Sequence, residues 1–459
     1  MTERARKFSG HARSAIARRS RVAFLALATL AALTVAPRPA AAQLLDLREL
    51  FPALLRDGIV LAPPTTSGTV SHEAHFTAGN SPQLRAIQQM NDQIASWVAT
   101  TPISSSAGGF AYELDPELGV LSRPTQSFGS IYAERPLTVG RGKFNVGVNF
   151  SRFTFDKFDD VALRTGELAL VFTHEDSDDN GTVTPAFEGD VVTARVSMRA
   201  ESEVTTLVAS YGAHDRLDFA VALPVARVRL DVAAQATVQR LSTADDSRTH
   251  EFPNGAREQT ISRTGESEGI GDITVRAKYL LYGNGDAYVG VATDVQLPTG
   301  EERDLLGSGS AQAQLSLTGM MNRYPVSPHF NLGYRAAGGA PPNEVSYALG
   351  VDIVADQKLT IAADLIGQLR ENSGELEIRD QEFVYNTTLN ENDPPVFETA
   401  TFPFATLVDA GTRNIMSGSV GMKVNFFQNM LLTANGLFPI NAGGLRDDFA
   451  TLVGIDYSF

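Results

Sequence analysis

The 459-residue chain contains no cysteine. That absence excludes thiolate metal centres, a cysteine nucleophile, disulfide staples and a lipid-modified N-terminal cysteine. Positive charge is scarce as well. Only 38 Lys and Arg stand against 53 Asp and Glu, a formal net charge of −15, so nucleic acid is not expected as a partner. Beyond residue 36 no apolar run is long enough for a transmembrane helix. Neither G-x-S-x-G nor a comparable catalytic constellation stands out, and no phosphate-binding or dinucleotide motif is convincing. No enzyme activity and no organic cofactor are expected.

What is present begins at the N-terminus. Residues 1–21 carry seven basic side chains, among them Arg18, Arg19 and Arg21. The apolar stretch "VAFLALATLAALTVA" follows from Val22 to Ala36, and "PRPAAAQ" then places Ala40 and Ala42 as a leader peptidase needs. This order of charged region, apolar region and small-residue site predicts a secretory signal over residues 1–42, cut after Ala42. Cleavage removes eight basic residues and one acid, leaving 30 Lys and Arg against 52 Asp and Glu. An exported, acidic chain without cysteine points to a bacterial envelope.

Period-two alternation then recurs along the chain. In "KFNVGVNFS", Phe144, Val146, Val148 and Phe150 share one face, and Asn145, Gly147, Asn149 and Ser151 the other. "AYVGVATDVQLP", "AQAQLSLT", "EVSYALGVDIV" and "LTIAADL" repeat the pattern, as does the final "DDFATLVGIDYSF". A soluble sheet with one wet face would alternate too. These segments, however, run to about ten residues, against roughly five or six in soluble strands. At about 3.3 Å per residue and a tilt near 40°, ten steps rise roughly 25 Å, the height of an outer-membrane apolar band.

The connections alternate in length. Short ones fall at 212–216, 283–286, 322–327, 355–358 and 427–429; long ones fall at about 157–189, 237–268, 299–308, 337–343, 371–411 and 441–447. Tight turns on one rim and extended loops on the other characterise outer-membrane barrels. The expected fold is therefore all-β: an antiparallel up-and-down transmembrane β-barrel over 143–459, of twelve strands, or fourteen if "ELALVF" and a partner join it. The apolar parity of 217–235 changes beside Pro224, which predicts a β-bulge there.

Residues 43–142 alternate poorly. "SPQLRAIQQMNDQIASWV" places Leu84, Ile87, Met90, Ile94 and Trp97 on one helical stripe. "LLDLRELFPALL" over 44–55 is a shorter helix candidate interrupted by Pro52, and "GGFAYELDPELGV" reads as a hairpin. The segment is either a plug within the barrel or a periplasmic appendage.

Charged and polar positions on the wet face of the strands form the candidate site. They are Arg276, Lys278, Asp294, Gln296, His329, Arg335, Asp352, Asp364 and Lys423, with Asn149, Asn331, Asn425 and Asp456 beside them. In a channel they would tune selectivity; in a closed barrel they would form an ion-pair network. Gly147, Gly290, Gly350, Gly421 and Gly454 suggest open space between them. The only metal candidate is calcium, at Asp176, Asp178 and Asn180 of "EDSDDNG". Its twelfth position is Phe187 and the acid Glu188 stands one place late, so a solvated acidic loop competes with that reading. "SHEAHF" brings His72 and His75 near each other without the H-E-x-x-H spacing. At the C-terminus, Tyr457 and Phe459 fit a lipid-facing aromatic girdle. A terminal aromatic with another two residues before it is similar to the known signals read by the barrel-assembly machinery.

The segment "GIGDITVRAKYLLY…VATDVQLPTG" resembles a family of outer-membrane barrels, the phenol-degradation meta-pathway type, related loosely to long-chain fatty-acid and aromatic-hydrocarbon channels. Gly269, Gly271 and Asp272 open one strand, Lys278 and Tyr279 lie within it, and Leu297, Pro298, Thr299 and Gly300 close the hairpin. The resemblance is strongest over 269–310, extends over about 190–459 and does not reach 43–142. It implies uptake of small, often hydrophobic molecules across the outer membrane. It carries over no residue that contacts a substrate. The expected partners are outer-membrane lipid, the assembly machinery and a small solute. The alternatives are a non-conducting structural or surface-binding barrel, and a barrel enzyme with a Ser/His/acid or paired-acid cluster at its rim.

Overall fold

The computed structural model describes residues 46–62, isolated positions between 88 and 105, most of 109–174, and most of 189–241, 250–388 and 394–459. The expected signal segment and Ala42, the candidate calcium residues Asp176, Asp178 and Asn180, and His72 and His75 lie outside the described residues.

One helix, α1 (Leu47–Gly58), comes first. A small antiparallel hairpin follows, β1 (Glu113–Asp115) and β2 (Val120–Ser122). The barrel opens with β3 (Phe144–Phe155), and the outlying β4 (Leu168–Thr173) comes next. Two long strands follow, β5 (Val191–His214) and β6 (Leu217–Gln239), then the outlying β7 (Glu258–Ile270). The wall continues through β8 (Thr274–Gly283), β9 (Ala287–Gln296), β10 (Gln312–Met321), β11 (Val326–Ala337), β12 (Glu344–Asp356) and β13 (Leu359–Arg370). A projecting hairpin, β14 (Gly374–Asn386) and β15 (Phe397–Asp409), precedes β16 (Arg413–Phe427), β17 (Met430–Pro439) and β18 (Ala450–Ser458).

Sequential antiparallel pairing closes the wall. The last strand pairs with the first through Tyr457 opposite Val146 and Val453 opposite Phe150, and Phe459 N–H donates to Phe144 O at 2.8 Å. The closed barrel has twelve strands. "ELALVF" does form a strand, β4, but it pairs only with residues 191–196 at the loop-end tip of β5 and adds nothing to closure. The connection at 237–268 likewise contains most of β7, which pairs with residues 225–237 of β6.

Polarity along the wall is inverted relative to a soluble protein. Leu315 is 61% exposed and Leu349 56%, whereas Lys278 is 2% and Asp352 1% exposed. Apolar side chains facing outward and charged ones facing inward fit a sheet immersed in lipid, where closure also satisfies every strand edge. The C-terminal pair belongs to the outward face: the Tyr457 and Phe459 rings meet edge to face at 4.7 Å.

No bulge occurs at Pro224. The β5–β6 register runs unbroken through Thr206 opposite Pro224. The parity change has another cause. Up to Val225 the outward odd positions are apolar because they face lipid. From Val228 onward the inward even positions are apolar, because they join a core at the loop end with Phe153, Phe172 and α1. Pro224 sits where β6 exchanges one neighbour for another: β8 pairs with residues 217–222 and β7 with 225–237. In that gap the missing N–H of proline leaves no ladder bond unmade.

The helix α1 lies over that inward apolar face. Leu47, Leu50, Phe51, Leu54 and Leu55 are all buried there, in the i, i+3, i+4, i+7, i+8 pattern of one helical stripe. Burial of each such side chain contributes roughly 1.5–3 kcal/mol. Pro52 does not end the helix, as the sequence had suggested. The carbonyl it leaves without a helical donor belongs to Arg48, and Asn91 Nδ2 donates to that oxygen at 2.7 Å. Of the second predicted helix, Gln88, Asn91, Asp92 and Ile94 are helical, and Ile94 is buried.

Candidate functional site

The nine charged and polar residues singled out from alternation all lie on strands β8, β9, β11, β12, β13 and β16. The Arg276 guanidinium spans the Asp294 carboxylate, at 2.5 and 2.6 Å, and also contacts Glu134. Lys278 Nζ donates to Glu134 Oε1 at 2.9 Å and lies 3.7 Å from Asp218. His329 Nε2 lies 2.6 Å from Asp364 Oδ1, and Nδ1 lies 3.7 Å from Asp352 Oδ1. Arg335 pairs with Glu344 at 3.2 Å and donates to Gln314. Gln296 Nε2 donates to Asp272 at 3.1 Å.

Several of these groups hold residues 127–139 against the wall. Ser127 Oγ donates to Asp352 Oδ2 at 3.1 Å, and Phe128 N–H donates to Thr360 Oγ1 at 3.0 Å. Lys423 Nζ donates to Ser130 O at 2.7 Å. Val139 N–H donates to Asp218 Oδ2 at 2.8 Å. Phe128 also packs on Leu431 near the turn end, and Ile131 on Ala362 and Leu452. Charged groups thus bind irregular backbone that has no ladder of its own, as buried polar atoms require.

The wall glycines do not leave open space. A methyl group added at Gly290 would meet Pro136 at 3.1 Å, and one at Gly421 would meet the Ile131 side chain at 2.5 Å. At Gly350 it would meet Asp364, at Gly147 Asp456, and at Gly454 Asn149. These positions are small because 131–136 or a neighbouring side chain fills them.

Toward the loop end a second group of residues forms a ceiling. Asp272 is buried and accepts from Gly300 N–H at 3.0 Å, Ser308 N–H at 2.8 Å, Ser308 Oγ at 2.6 Å and Gln296 Nε2 at 3.1 Å. These bonds fold the 297–308 connection inward, with Leu305 and Leu306 buried at its tip. The Gly271 and Gly300 of the recognised motif now have a physical reason. The Leu306 carbonyl passes 3.2 Å from where a Gly271 Cβ would stand and closer still to that of Gly300. Arg48 of α1 pairs with Glu302 on the same connection, and Ser267 Oγ donates to Asp304 O at 2.6 Å. Burial raises the Asp304 carboxyl above the ordinary carboxylate range.

Between the residues at 132–134 and this ceiling lies a cavity of about 230 Å³. Val204, Ala222, Pro224, Ala226 and Leu306 form one side. Arg276, Asp294, Gln312, Asn331 and Arg335 line it from the adjoining strands β8–β11. Sequence reading missed Glu134, Asp272 and Glu344 as members of this arrangement. Glu134 lies in a segment without periodicity, whereas Asp272 stands inside the recognised motif and could have been found there.

Residues 173–374 match a family described as "Putative MetA-pathway of phenol degradation". Comparison with curated protein sequences gives no match. Among solved structures, an outer membrane channel from Pseudomonas putida F1 is 12% identical, with a TM-score of 0.39 over 70% of this chain and 96% of its own. A FadL homologue from Pseudomonas aeruginosa is 12% identical, with a TM-score of 0.29 over 77% of this chain and 94% of its own. The transport unit of the autotransporter AIDA-I from Escherichia coli is 11% identical, with a TM-score of 0.30 over 69% and 90%. The closed twelve-strand wall with its inverted polarity identifies the chain as a bacterial outer-membrane β-barrel, similar over residues 173–374 to the phenol-degradation MetA-pathway family.

Proposed function

We propose that this barrel is a passive channel for small molecules, carrying them across the outer membrane from the loop end to the turn end. The carrying observation is the cavity on the extracellular side of residues 132–134, inside a closed wall. Residues 43–142 act as its plug, with 105–142 as the part that limits passage. The nine wall residues shape the path: Lys278, Asp352 and Lys423 as anchors of the plug, Arg276, Asp294, Gln296 and Arg335 around the cavity, and His329 and Asp364 as the support of Asp352. The mixed lining favours solutes with some apolar surface.

The test is osmotic swelling of proteoliposomes containing the full mature protein, with uncharged solutes of graded size. Solutes that fit the cavity should enter faster than in empty vesicles. Glu134→Ala, which removes the closer partner of Lys278 and one partner of Arg276, should raise the rate and the size limit. If neither protein differs from empty vesicles, the barrel is a structural or surface-binding one.

A further inference from the structure

We propose that the cavity above residues 132–134 is a binding site for a compact, uncharged molecule. That molecule has hydrogen-bonding groups along one edge and apolar surface beside them, and the site discriminates against carboxylates of the same shape. This deepens the channel reading and draws its biological sense from it, but it stands on separate observations.

The first observation is charge. The cavity lining contains two cationic side chains, Arg276 and Arg335. Both are engaged: Arg276 with Asp294 and Glu134, Arg335 with Glu344 at 3.2 Å. The same lining contains the carboxylates of Glu134, Asp272 and Asp294. An entering anion finds no unpaired cation and faces three acids. Moving its charge out of water without a partner is strongly unfavourable.

The second observation is unmet hydrogen-bonding capacity. Gln312 is 3% exposed and Thr274 8%, and both line the cavity. Gln312 Nε2 and Thr274 Oγ1 have no hydrogen-bond partner in the protein, nor does Oδ1 of Asn331 on the same lining. Buried polar atoms normally find partners. Here the residues that carry them line the cavity, and they offer an amide donor, a hydroxyl and an amide oxygen together. An uncharged amide or alcohol satisfies such a set. A site built this way rejects analogues that leave its polar atoms unpaired more sharply than an apolar pocket rejects a change of size.

The third observation is shape. Beside these groups, Val204, Ala222, Pro224, Ala226 and Leu306 present aliphatic surface, broken by the Ser202 and Thr206 hydroxyls. The volume of about 230 Å³ lies below the ~300–1,000 Å³ of pockets for drug-sized ligands, which points to a compact molecule.

The experiment measures binding, so it does not depend on transport. Isothermal titration of the full mature protein in detergent, with protein-free micelles as the blank, compares cyclohexanecarboxamide with cyclohexanecarboxylate at pH 7. The amide is expected to bind at least tenfold more tightly. Gln312→Leu should weaken the amide at least tenfold. Thr274→Val, which keeps the side-chain shape, provides an independent loss if the Leu variant does not assemble. Equal or tighter binding of the carboxylate overturns the proposal. So does undetectable binding of both probes, or amide binding unaffected by either substitution. If the amide binds selectively and proteoliposome swelling shows no passage, the channel reading falls and this site remains.

Discussion

Replacing Asp272 by alanine should release the ceiling of the cavity and leave the barrel wall standing. The carboxylate accepts four hydrogen bonds of 2.6–3.1 Å, two of them from backbone N–H groups of the 297–308 connection. A hydrogen bond to a charged group is worth about 1.5–3 kcal/mol, and such bonds in one network do not add in full. Alanine would also leave the buried Ser308 amide and the half-buried Gly300 amide without acceptors. A local destabilisation of roughly 3–6 kcal/mol follows, or about 10²–10⁴ in the equilibrium between closed and open connection. Trypsin reads that equilibrium directly, because Arg303 lies within the connection, and cleavage there needs several flanking residues to unfold locally. Cleavage after Arg303 in proteoliposomes should accelerate at least a hundredfold. Heat-modifiable migration on a gel should change little, since no wall ladder loses a bond. The swelling rate should rise as Leu305 and Leu306 leave the path. Unchanged cleavage at Arg303 would refute the latch, and faster cleavage without faster swelling would refute the role of the leucines as a ceiling.

Three other expectations come from named contacts. Asp159 is buried and accepts from Leu376 N–H at 2.6 Å and Gly444 N–H at 2.7 Å, with Arg413 at 2.6 Å. Asp159→Ala should therefore loosen the β14–β15 hairpin, seen as faster trypsin cleavage after Arg379 with an unchanged barrel melting point. Glu134→Ala removes one partner of a buried ion-pair group and should destabilise the barrel by the ~3–5 kcal/mol typical of a broken buried pair, read as a lower melting temperature by heat-modifiable migration in a temperature series. Deleting Phe459 removes the ring packed edge to face with Tyr457 and the N–H bonded to Phe144 O. Membrane levels of the truncated protein should drop severalfold, and swelling per assembled barrel should hold; normal levels would count against an assembly signal at the terminus.

Much of the wall was legible because its physics is periodic. Alternation in "KFNVGVNFS" and "DDFATLVGIDYSF" placed β3 and β18, and link lengths gave the count of twelve. Where one face must meet lipid and the other a polar interior, a one-residue slip would invert every side chain, so sequence and register are tightly tied. Legibility failed where that environment changes. Residues 217–239 leave the lipid belt partway along, and the apolar face swaps sides without a bulge. Pro52 was read as a break because the Asn91 amide that satisfies the Arg48 carbonyl lies far away in sequence. The wall charges were visible, but not their partners Glu134 and Ser127. Those sit on a stretch ordered by the barrel around it rather than by any pattern of its own. The motif glycines were noticed as a resemblance, and only the close pass of the Leu306 carbonyl explains them.

Planar-bilayer recording of the full mature protein beside Glu134→Ala tests the central claim most directly. Glu134 holds residues 132–136 through Lys278 and Arg276 on the opposing wall. The intact protein should give small, discrete conductance steps, and the variant larger ones of the same polarity. Silence from both proteins, in bilayers where a known porin conducts, would contradict the account.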